Sequence, residues 1–143
     1  MSETQTRSVV VEREIAHPPE KLWRALTQPH LIADWLMPND FSAEVGHDFQ
    51  FRAPYLPNGA LDCTVLALEP NKRLSYSWGS TSANPAFALA SVVTFTLTPT
   101  PGGTHLRMEQ SGFRPDQKQA FGGALAGWQR FLANLEQVAA RAE

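Results

Sequence analysis

The sequence has one cysteine, no long apolar run and no excess of basic residues, and each of these absences excludes a class of protein. The single cysteine, Cys63, rules out an internal disulfide and argues against a cysteine-based zinc site. No apolar stretch approaches the roughly 20 residues that a membrane helix needs. The formal net charge of −2 argues against a general nucleic-acid binder, which would carry a basic excess. We therefore expect no membrane insertion, no nucleic-acid partner, and no metal or other cofactor.

The first residues also lack the apolar core of a secretion signal. They read Met-Ser-Glu-Thr-Gln-Thr-Arg, with no apolar segment, which favours a cytoplasmic protein. Hydrophobic residues make up 43% of the chain and charged residues 18%, a composition typical of a globular fold. A length of 143 residues fits one domain with one core, so we expect residues 1–143 to form a single domain.

Hydrophobic periodicity predicts one strand, two short helices, a run of strands and a long helix. The β-branched segment Arg7–Ile15 is typical of a strand, and the prolines at 18 and 19 suit the first turn of a helix that ends near Thr27. His30–Trp35 predicts a second short helix. From Phe41 onward the period becomes two, which predicts strands around 49–51 and over 61–68, 73–78, 91–98 and 104–111, with a long loop over 79–90. The expected class is α+β: about six or seven antiparallel strands, one face of the sheet covered by the last helix.

The C-terminal helix has a stripe of large apolar residues with small residues beside its first half. The stripe repeats at helical spacing over Phe121, Leu125, Trp128, Leu132, Leu135 and Ala139. Its flank carries Ala120, Ala124 and Gly127 first, then Phe131 and Val138. This taper predicts a helix that packs tightly near its end and leaves room near its start, as in a ligand pocket. The alternative is that the small residues only allow the backbone to pack closely.

Alternation along the strands indicates which side chains face this helix. They are Phe49, Phe51, Leu74, Tyr76, Trp78, Val93, Phe95, Leu106, Met108 and Gln110. Tyr76 and Gln110 are the polar members that could orient a ligand. The predicted ligand-binding residues are Phe49, Phe51, Tyr76, Trp78, Phe95, Met108, Gln110, Ala124, Gly127 and Trp128. The alternative is that the inward-facing side chains simply fill the core and leave no cavity.

No set of residues predicts a catalytic or metal centre. The sequence shows no Ser/His/Asp order, phosphate-binding glycine loop or metal-ligand spacing. The four histidines are scattered along the sequence. His105 should face solvent, because alternate residues of a strand point to opposite faces and Leu106 and Met108 are expected to point inward. Cys63 is expected to be a small core residue rather than a nucleophile. We therefore assign no catalytic residue, and whether the protein is an enzyme stays open.

An ordered series of short motifs resembles a known family. The motifs are His17-Pro-Pro-Glu-Lys-Leu-Trp23, Trp35, Gly46, Glu69-Pro70 with Arg73-Leu74 and Trp78, the Gly103-Thr-His-Leu106 turn, Ser111-Gly-Phe113 and Gly127-Trp128. This series is similar to the activators of the heat-shock-protein-90 ATPase (C-terminal domain) within the START-like, SRPBCC helix-grip superfamily, and it covers nearly the whole chain. The resemblance implies a curved antiparallel sheet that grips the C-terminal helix around an apolar cavity.

The resemblance implies several functions, because its relatives include lipid and hormone carriers, polyketide cyclases and a cochaperone. Our hypothesis is binding of a small hydrophobic or aromatic ligand between the sheet and the C-terminal helix. The alternatives are a polyketide cyclase/dehydratase-like enzyme and a cochaperone-like protein-binding domain; a homodimer stays open. The cochaperone role fits less well, because 143 residues leave no room for the separate N-terminal domain of those proteins. Many relatives carry histidine where this chain has Gln110, and an amide cannot replace histidine as an acid or base.

Overall fold

The computed structural model describes residues 7–54, 59–80, 89–115 and 117–141, which form six strands and three helices. In chain order they are β1 Arg7–Ile15, α1 Pro19–Thr27, α2 Pro29–Trp35, β2 Asp48–Arg52, β3 Ala60–Glu69, β4 Arg73–Ser80, β5 Leu89–Thr100, β6 Gly103–Phe113 and α3 Lys118–Arg141. The strands form one antiparallel sheet in the order β1-β6-β5-β4-β3-β2, so the first strand pairs with the last. With α3 packed on its inner face, this is the α+β helix-grip fold that the sequence predicts.

The predicted loop over 79–90 is shorter than expected at both ends. The ladder between β4 and β5 continues through the pairs Gly79–Ala90 and Ser80–Leu89, so these residues belong to strands. The Ser/Ala/Asn/Pro composition indicated a loop, but backbone pairing extends a ladder whatever the side chains prefer. Residues 81–88, the middle of that predicted loop, lie outside the described residues. Phe41 is buried in the irregular segment before β2, so the predicted period of two begins later, at Asp48.

The two short helices form at their prolines and are joined to each other through a buried hydrogen bond. Proline stands in the first turn of each, where its missing N–H has no partner to lose. The indole Nε1 of Trp35 donates to the Ala25 carbonyl at 2.8 Å in the core. Both helices pack against α3, so together they fix where α3 lies over the sheet.

The buried face of α3 is rotated slightly from the predicted stripe. Leu125 and Val138 lie at opposite margins of the helical face centred on Trp128, and the structure exposes Leu125 (37%) while it buries Val138 (2%). The prediction that Leu125 belongs to the buried stripe is therefore wrong. The helix turns toward the flank that carries Ala124 and Phe131, both of which pack against the core. Packing on α1 and α2 sets this rotation, and helical spacing alone cannot supply it.

A histidine on the outer face of the sheet links β6 to β1. The Nε2 atom of His105 lies 2.8 Å from Glu12 Oε1, and its Nδ1 contacts Glu14 Oε2. Two carboxylates on the two ring nitrogens favour the doubly protonated imidazolium. The hydrogen bonds that the ring donates to Glu14 and to Glu12 accordingly raise the pKa of His105 above its ordinary 6.5. The prediction that His105 faces the outer side is confirmed.

We expect these contacts to make stability depend on pH. Because the folded pKa of His105 is raised, its stabilisation is complete below the unfolded pKa near 6.5 and is lost as the pH rises through the folded value. Between about pH 6 and pH 8, the free energy of unfolding of the native protein should therefore fall more steeply than that of His105→Gln. Urea denaturation at a series of pH values measures both. Parallel pH profiles for the two proteins would contradict the assignment.

Candidate ligand-binding site

The interior between the sheet and α3 is lined by one continuous group of aromatic side chains, here called the aromatic cluster. Its members are Trp35, Phe41, Phe49, Phe51, Tyr76, Trp78, Phe95, Trp128 and Phe131. Neighbouring rings meet at tilted or edge-to-face angles, with centroids 5.1 Å apart between Phe41 and Phe49 and 5.2 Å apart between Trp78 and Trp128. Such pairs add attraction beyond the area they bury. The cluster therefore extends from β2 across the sheet to the middle of α3.

A buried polar network lies at the centre of this interior and ties α3 to the sheet. The indole Nε1 of Trp128 donates to Gln110 Oε1 at 2.7 Å, and Gln110 Nε2 donates to Ser91 Oγ at 2.9 Å. The Ser91 hydroxyl in turn donates to the Trp78 carbonyl at 2.8 Å. Gln110 is 1% exposed, so both ends of its amide are satisfied within the protein and away from water.

Tyr76 is the other polar group of the interior, and it differs from Gln110 in its partners. Tyr76 and Gln110 stand on one row of the sheet, each paired in register with Val93 between them. The Tyr76 ring contacts Phe41, Phe49, Phe51 and Phe95. No hydrogen bond joins its hydroxyl to another of the described residues, although a buried tyrosine hydroxyl usually finds a partner. Of the two polar groups in this row, the Gln110 amide therefore has hydrogen-bond partners at both ends, whereas the Tyr76 hydroxyl has none among the described residues.

The titratable groups beside this row are neutral at physiological pH. Burial, and then the nearby Cys63, raise the pKa of the Tyr76 hydroxyl well above its usual 10. Burial first, with Asp62 and Asp40 adding to it, also raises the pKa of the Cys63 thiol. Cys63 is buried, so the prediction that it is a small core residue is confirmed. Neither group gains or loses a proton near neutral pH, which leaves hydrogen bonding as their available chemistry.

The two halves of α3 differ in how completely their inward side chains are buried. A Cβ atom built on the half-buried Gly127 would meet only the Phe131 ring, at 3.7 Å, whereas Gly122 and Gly123 are exposed to solvent on the outer side of the helix. From Trp128 onward, by contrast, the inward positions Trp128, Leu132, Leu135, Val138 and Ala139 are buried. Gly127 therefore does not touch the sheet backbone, and the room predicted beside the first half of α3 stays a prediction. The side chain of Ala120 lies outside the described part of the chain.

The structure places the predicted site residues in two groups. Most are buried and point inward from the sheet or from α3, and these are Phe49, Phe51, Tyr76, Trp78, Phe95, Met108, Gln110 and Trp128. Ala124 and Gly127 are half-buried on the first half of α3. Sequence reasoning missed Phe41 and Ser91. Ser91 could have been found, because it has the same parity as Val93 and Phe95, whereas nothing in the sequence marks Phe41 as facing inward.

A separate hollow on the outer side of β2 and β3 has a different chemistry. Its volume is about 480 Å³, and its lining includes three aspartates, Asp40, Asp48 and Asp62. Each carboxylate already accepts a hydrogen bond: from the Gln50 backbone N–H, the Thr64 hydroxyl and the Gln50 amide, respectively. Across the described ranges no three or more His, Cys, Asp or Glu side chains are placed to hold a metal ion. In the same ranges no helix is both long and apolar enough to span a membrane.

The strand order, the gripped helix and the aromatic interior together define a START-like helix-grip domain. The chain belongs to the family of Activator of Hsp90 ATPase homolog 1-like proteins, whose model matches residues 16–140. No protein with a curated description matches it. The recognised family confirms the resemblance seen in the sequence motifs.

Solved structures show the same architecture. A crystallised Mesorhizobium loti protein is 66% identical, with a TM-score of 0.91, and the match covers 96% of this chain and 99% of that one. A Bacillus halodurans protein solved in solution is 25% identical, with a TM-score of 0.78 and coverage of 96% and 99%. DynU16, a protein of the dynemicin biosynthetic locus, is 24% identical with a TM-score of 0.75, over 91% of this chain and 46% of that one. At that identity the DynU16 likeness shows the fold alone.

Proposed function

We propose that the protein binds a small hydrophobic or aromatic molecule between the first half of α3 and the sheet. The observation that carries the proposal is the taper of α3. The helix packs tightly on the core from Trp128 onward, whereas just before it the inner flank carries the small, half-buried residues Ala124 and Gly127. Apolar walls with a few polar groups are typical of small-molecule sites. Trp78, which is 9% exposed and packs against Trp128, would border the bound molecule.

The neutral interior favours binding over acid–base catalysis. An acid–base enzyme needs a group whose pKa lies near the working pH, and Tyr76 and Cys63 both have raised pKa values. One observation supports a cyclase/dehydratase-like activity instead: the Tyr76 hydroxyl could act as a fixed hydrogen-bond donor to a substrate. Such an enzyme would work without a titrating group in this interior, so its rate should stay flat between about pH 6 and pH 8. A bell-shaped rate profile centred near neutrality would require a different site.

A protein-binding role finds less support on the surface. Large exposed apolar side chains in the described ranges stand in separate segments rather than in one element, and they are Val10, Val45, Leu66 and Leu125. Single exposed apolar residues are normal on a monomer, whereas interaction sites present contiguous patches. A cytoplasmic location remains part of the proposal, because the only cysteine is a buried free thiol, as is usual in a reducing compartment.

Tryptophan fluorescence tests the proposal directly. Planar aromatic compounds such as flavones should quench or shift the emission with saturation, because Trp78 and Trp128 border the proposed site. Gly127→Leu should weaken binding about tenfold or more by placing a side chain in the open space, which corresponds to about 1.4 kcal/mol. Its melting temperature should hold or rise, since leucine exceeds glycine in helix propensity by about 0.5–1 kcal/mol.

Ala126→Leu is the matched control for this test. Ala126 is the exposed neighbour of Gly127 on the same helix, so a leucine there adds the same side chain outside the site. Binding by this variant should equal that of the native protein. A family of aromatic compounds that gives no saturable change, or equal weakening by both leucine variants, would count decisively against the proposed site.

A further inference from the structure

Within the proposed site the two polar groups of the central row have unequal freedom. Gln110 uses its carbonyl oxygen for Trp128 and its amide nitrogen for Ser91, so it holds the protein together rather than reaching toward a ligand. The Tyr76 hydroxyl has no such partner among the described residues. The geometry therefore separates a structural amide from an available hydroxyl, although sequence reasoning gave the two residues the same role.

The Tyr76 hydroxyl also keeps contact with space that protein does not fill. In the described ranges every side-chain nitrogen or oxygen that is fully enclosed has a hydrogen-bond partner. The Tyr76 hydroxyl has no partner there, so its oxygen is not fully enclosed, although the residue as a whole is only 2% exposed. A phenol that is almost completely buried, and whose hydroxyl has no described partner and is not fully enclosed, is placed to donate a hydrogen bond to a bound molecule.

The surroundings of this hydroxyl define the charge of the molecule it would accept. Its ring is enclosed by Phe41, Phe49, Phe51 and Phe95; the Cys63 thiol is nearby, and the imidazole of His47 stacks on the Phe49 ring with centroids 6.4 Å apart rather than on Tyr76 itself. A carboxylate entering such surroundings would lose its hydration without gaining a cation, which costs far more than one hydrogen bond returns. A neutral acceptor, by contrast, can replace water with the phenol at little cost.

We infer that the Tyr76 hydroxyl is the donor by which this site selects an uncharged aromatic ligand that carries a hydrogen-bond acceptor such as a ketone oxygen. The inference rests on the proposed function and narrows it to a class of ligand. It assigns selectivity to Tyr76 and leaves Gln110 as the residue that positions Trp128. The ring faces of the aromatic cluster would supply affinity, and the single hydroxyl would supply orientation.

Three naphthalenes of nearly equal shape test this inference by titration calorimetry. They carry an acetyl, an ethyl or a carboxylate group on the same ring carbon. The native protein should bind acetylnaphthalene about threefold to tenfold more tightly than ethylnaphthalene, the range of one net hydrogen bond, and naphthoate most weakly. Tyr76→Phe should lower the affinity for acetylnaphthalene and leave the affinity for ethylnaphthalene unchanged, so that the preference for the acetyl compound disappears. This substitution deletes a hydroxyl that has no described protein partner, so the fold should persist.

Ser75→Ala is the matched control, because Ser75 adjoins Tyr76 on β4 but bonds Thr94, 3.1 Å away across the strands. This variant should keep the acetyl preference. Equal affinity of the native protein for the acetyl and ethyl compounds would overturn the inference and leave the proposed function standing. So would a preference that survives Tyr76→Phe, or naphthoate binding as tightly as the ketone. Absence of saturable binding by all three compounds would overturn the proposed function as well.

Discussion

Gly103→Ala should destabilise the protein by on the order of 3 kcal/mol or more. A Cβ atom at this position would lie 2.1 Å from the Ile15 carbonyl oxygen and 2.8 Å from the His17 backbone nitrogen. Both neighbours are backbone atoms, so neither can swing aside as the end of a side chain could. Gly103 also has φ +152°, in the region that favours glycine. Overpacking costs about 1–3 kcal/mol and a strained backbone conformation about 1–3 kcal/mol, and here the two act together.

This close approach joins the turn between β5 and β6 to the connection between β1 and α1. Next to Gly103, the Thr104 hydroxyl donates to the His17 carbonyl at 2.7 Å. This hydrogen bond fixes the distance between the β5–β6 turn and the β1–α1 connection. An added methyl group must either lengthen that hydrogen bond or disturb the pairing of Ile15 with Thr104. The loss should therefore appear as cooperative destabilisation of the whole sheet.

Urea denaturation of Gly103→Ala beside Gly102→Ala measures the effect with a neighbouring control. A Cβ atom on Gly102 would meet nothing within 4 Å, so that variant should change the free energy of unfolding by less than about 0.5 kcal/mol. For a chain of this size, a loss of 3 kcal/mol corresponds to a melting temperature lower by roughly 6–12 °C. Equal stabilities of the two variants would show that the turn can move away from the β1–α1 connection.

The example of Gly103 shows which features local sequence can predict. Its place in a turn followed from the Pro-Gly-Gly sequence, because turn chemistry is local. Its contact with Ile15 and His17 depends on β1 pairing with β6, which joins residues nearly 90 positions apart, as the hydrogen bond from Thr104 to His17 illustrates. No single-residue preference encodes such a contact. The same limit explains why strand positions were predicted well and the rotation of α3 was not.

The candidate site divides in the same way between local pattern and three-dimensional arrangement. Alternation correctly predicted that Tyr76 and Gln110 face inward, since parity along a strand is fixed by the pleat. The partners of each polar group could not be predicted, because they depend on which residues of α3 and β5 stand opposite. Gln110 hydrogen-bonds Trp128 and Ser91, whereas Tyr76 packs against aromatic rings and its hydroxyl bonds none of the described residues. That difference separates their roles, and it arises entirely from register and helix position.

Trp128→Ala should cost still more than the glycine substitution, about 5 kcal/mol. Truncating a buried aromatic side chain typically costs about 3–5 kcal/mol. Here the indole also packs against Trp78 at 5.2 Å, Phe95 at 5.8 Å and Phe131 at 5.7 Å between ring centroids. Its removal further leaves Gln110 Oε1 buried without the donor that lies 2.7 Å away, which adds about 1–3 kcal/mol. A loss below about 1 kcal/mol would show that α3 does not present this residue to the core.

A double-mutant cycle separates the ring from its hydrogen bond. Trp128→Phe keeps an aromatic ring but deletes the indole N–H, so it should lose about 1–3 kcal/mol through the unpaired Gln110 carbonyl. Gln110→Leu removes that carbonyl, and Ser91 keeps its hydrogen bond to the Trp78 backbone. If the polar link carries the loss, Trp128→Phe should cost clearly less in the Gln110→Leu background than in the native one, because both partners are then apolar. Additive losses would mean that the indole stabilises α3 through packing alone. Gln110 would then be a satisfied core amide with no part in positioning Trp128 at the edge of the ligand site.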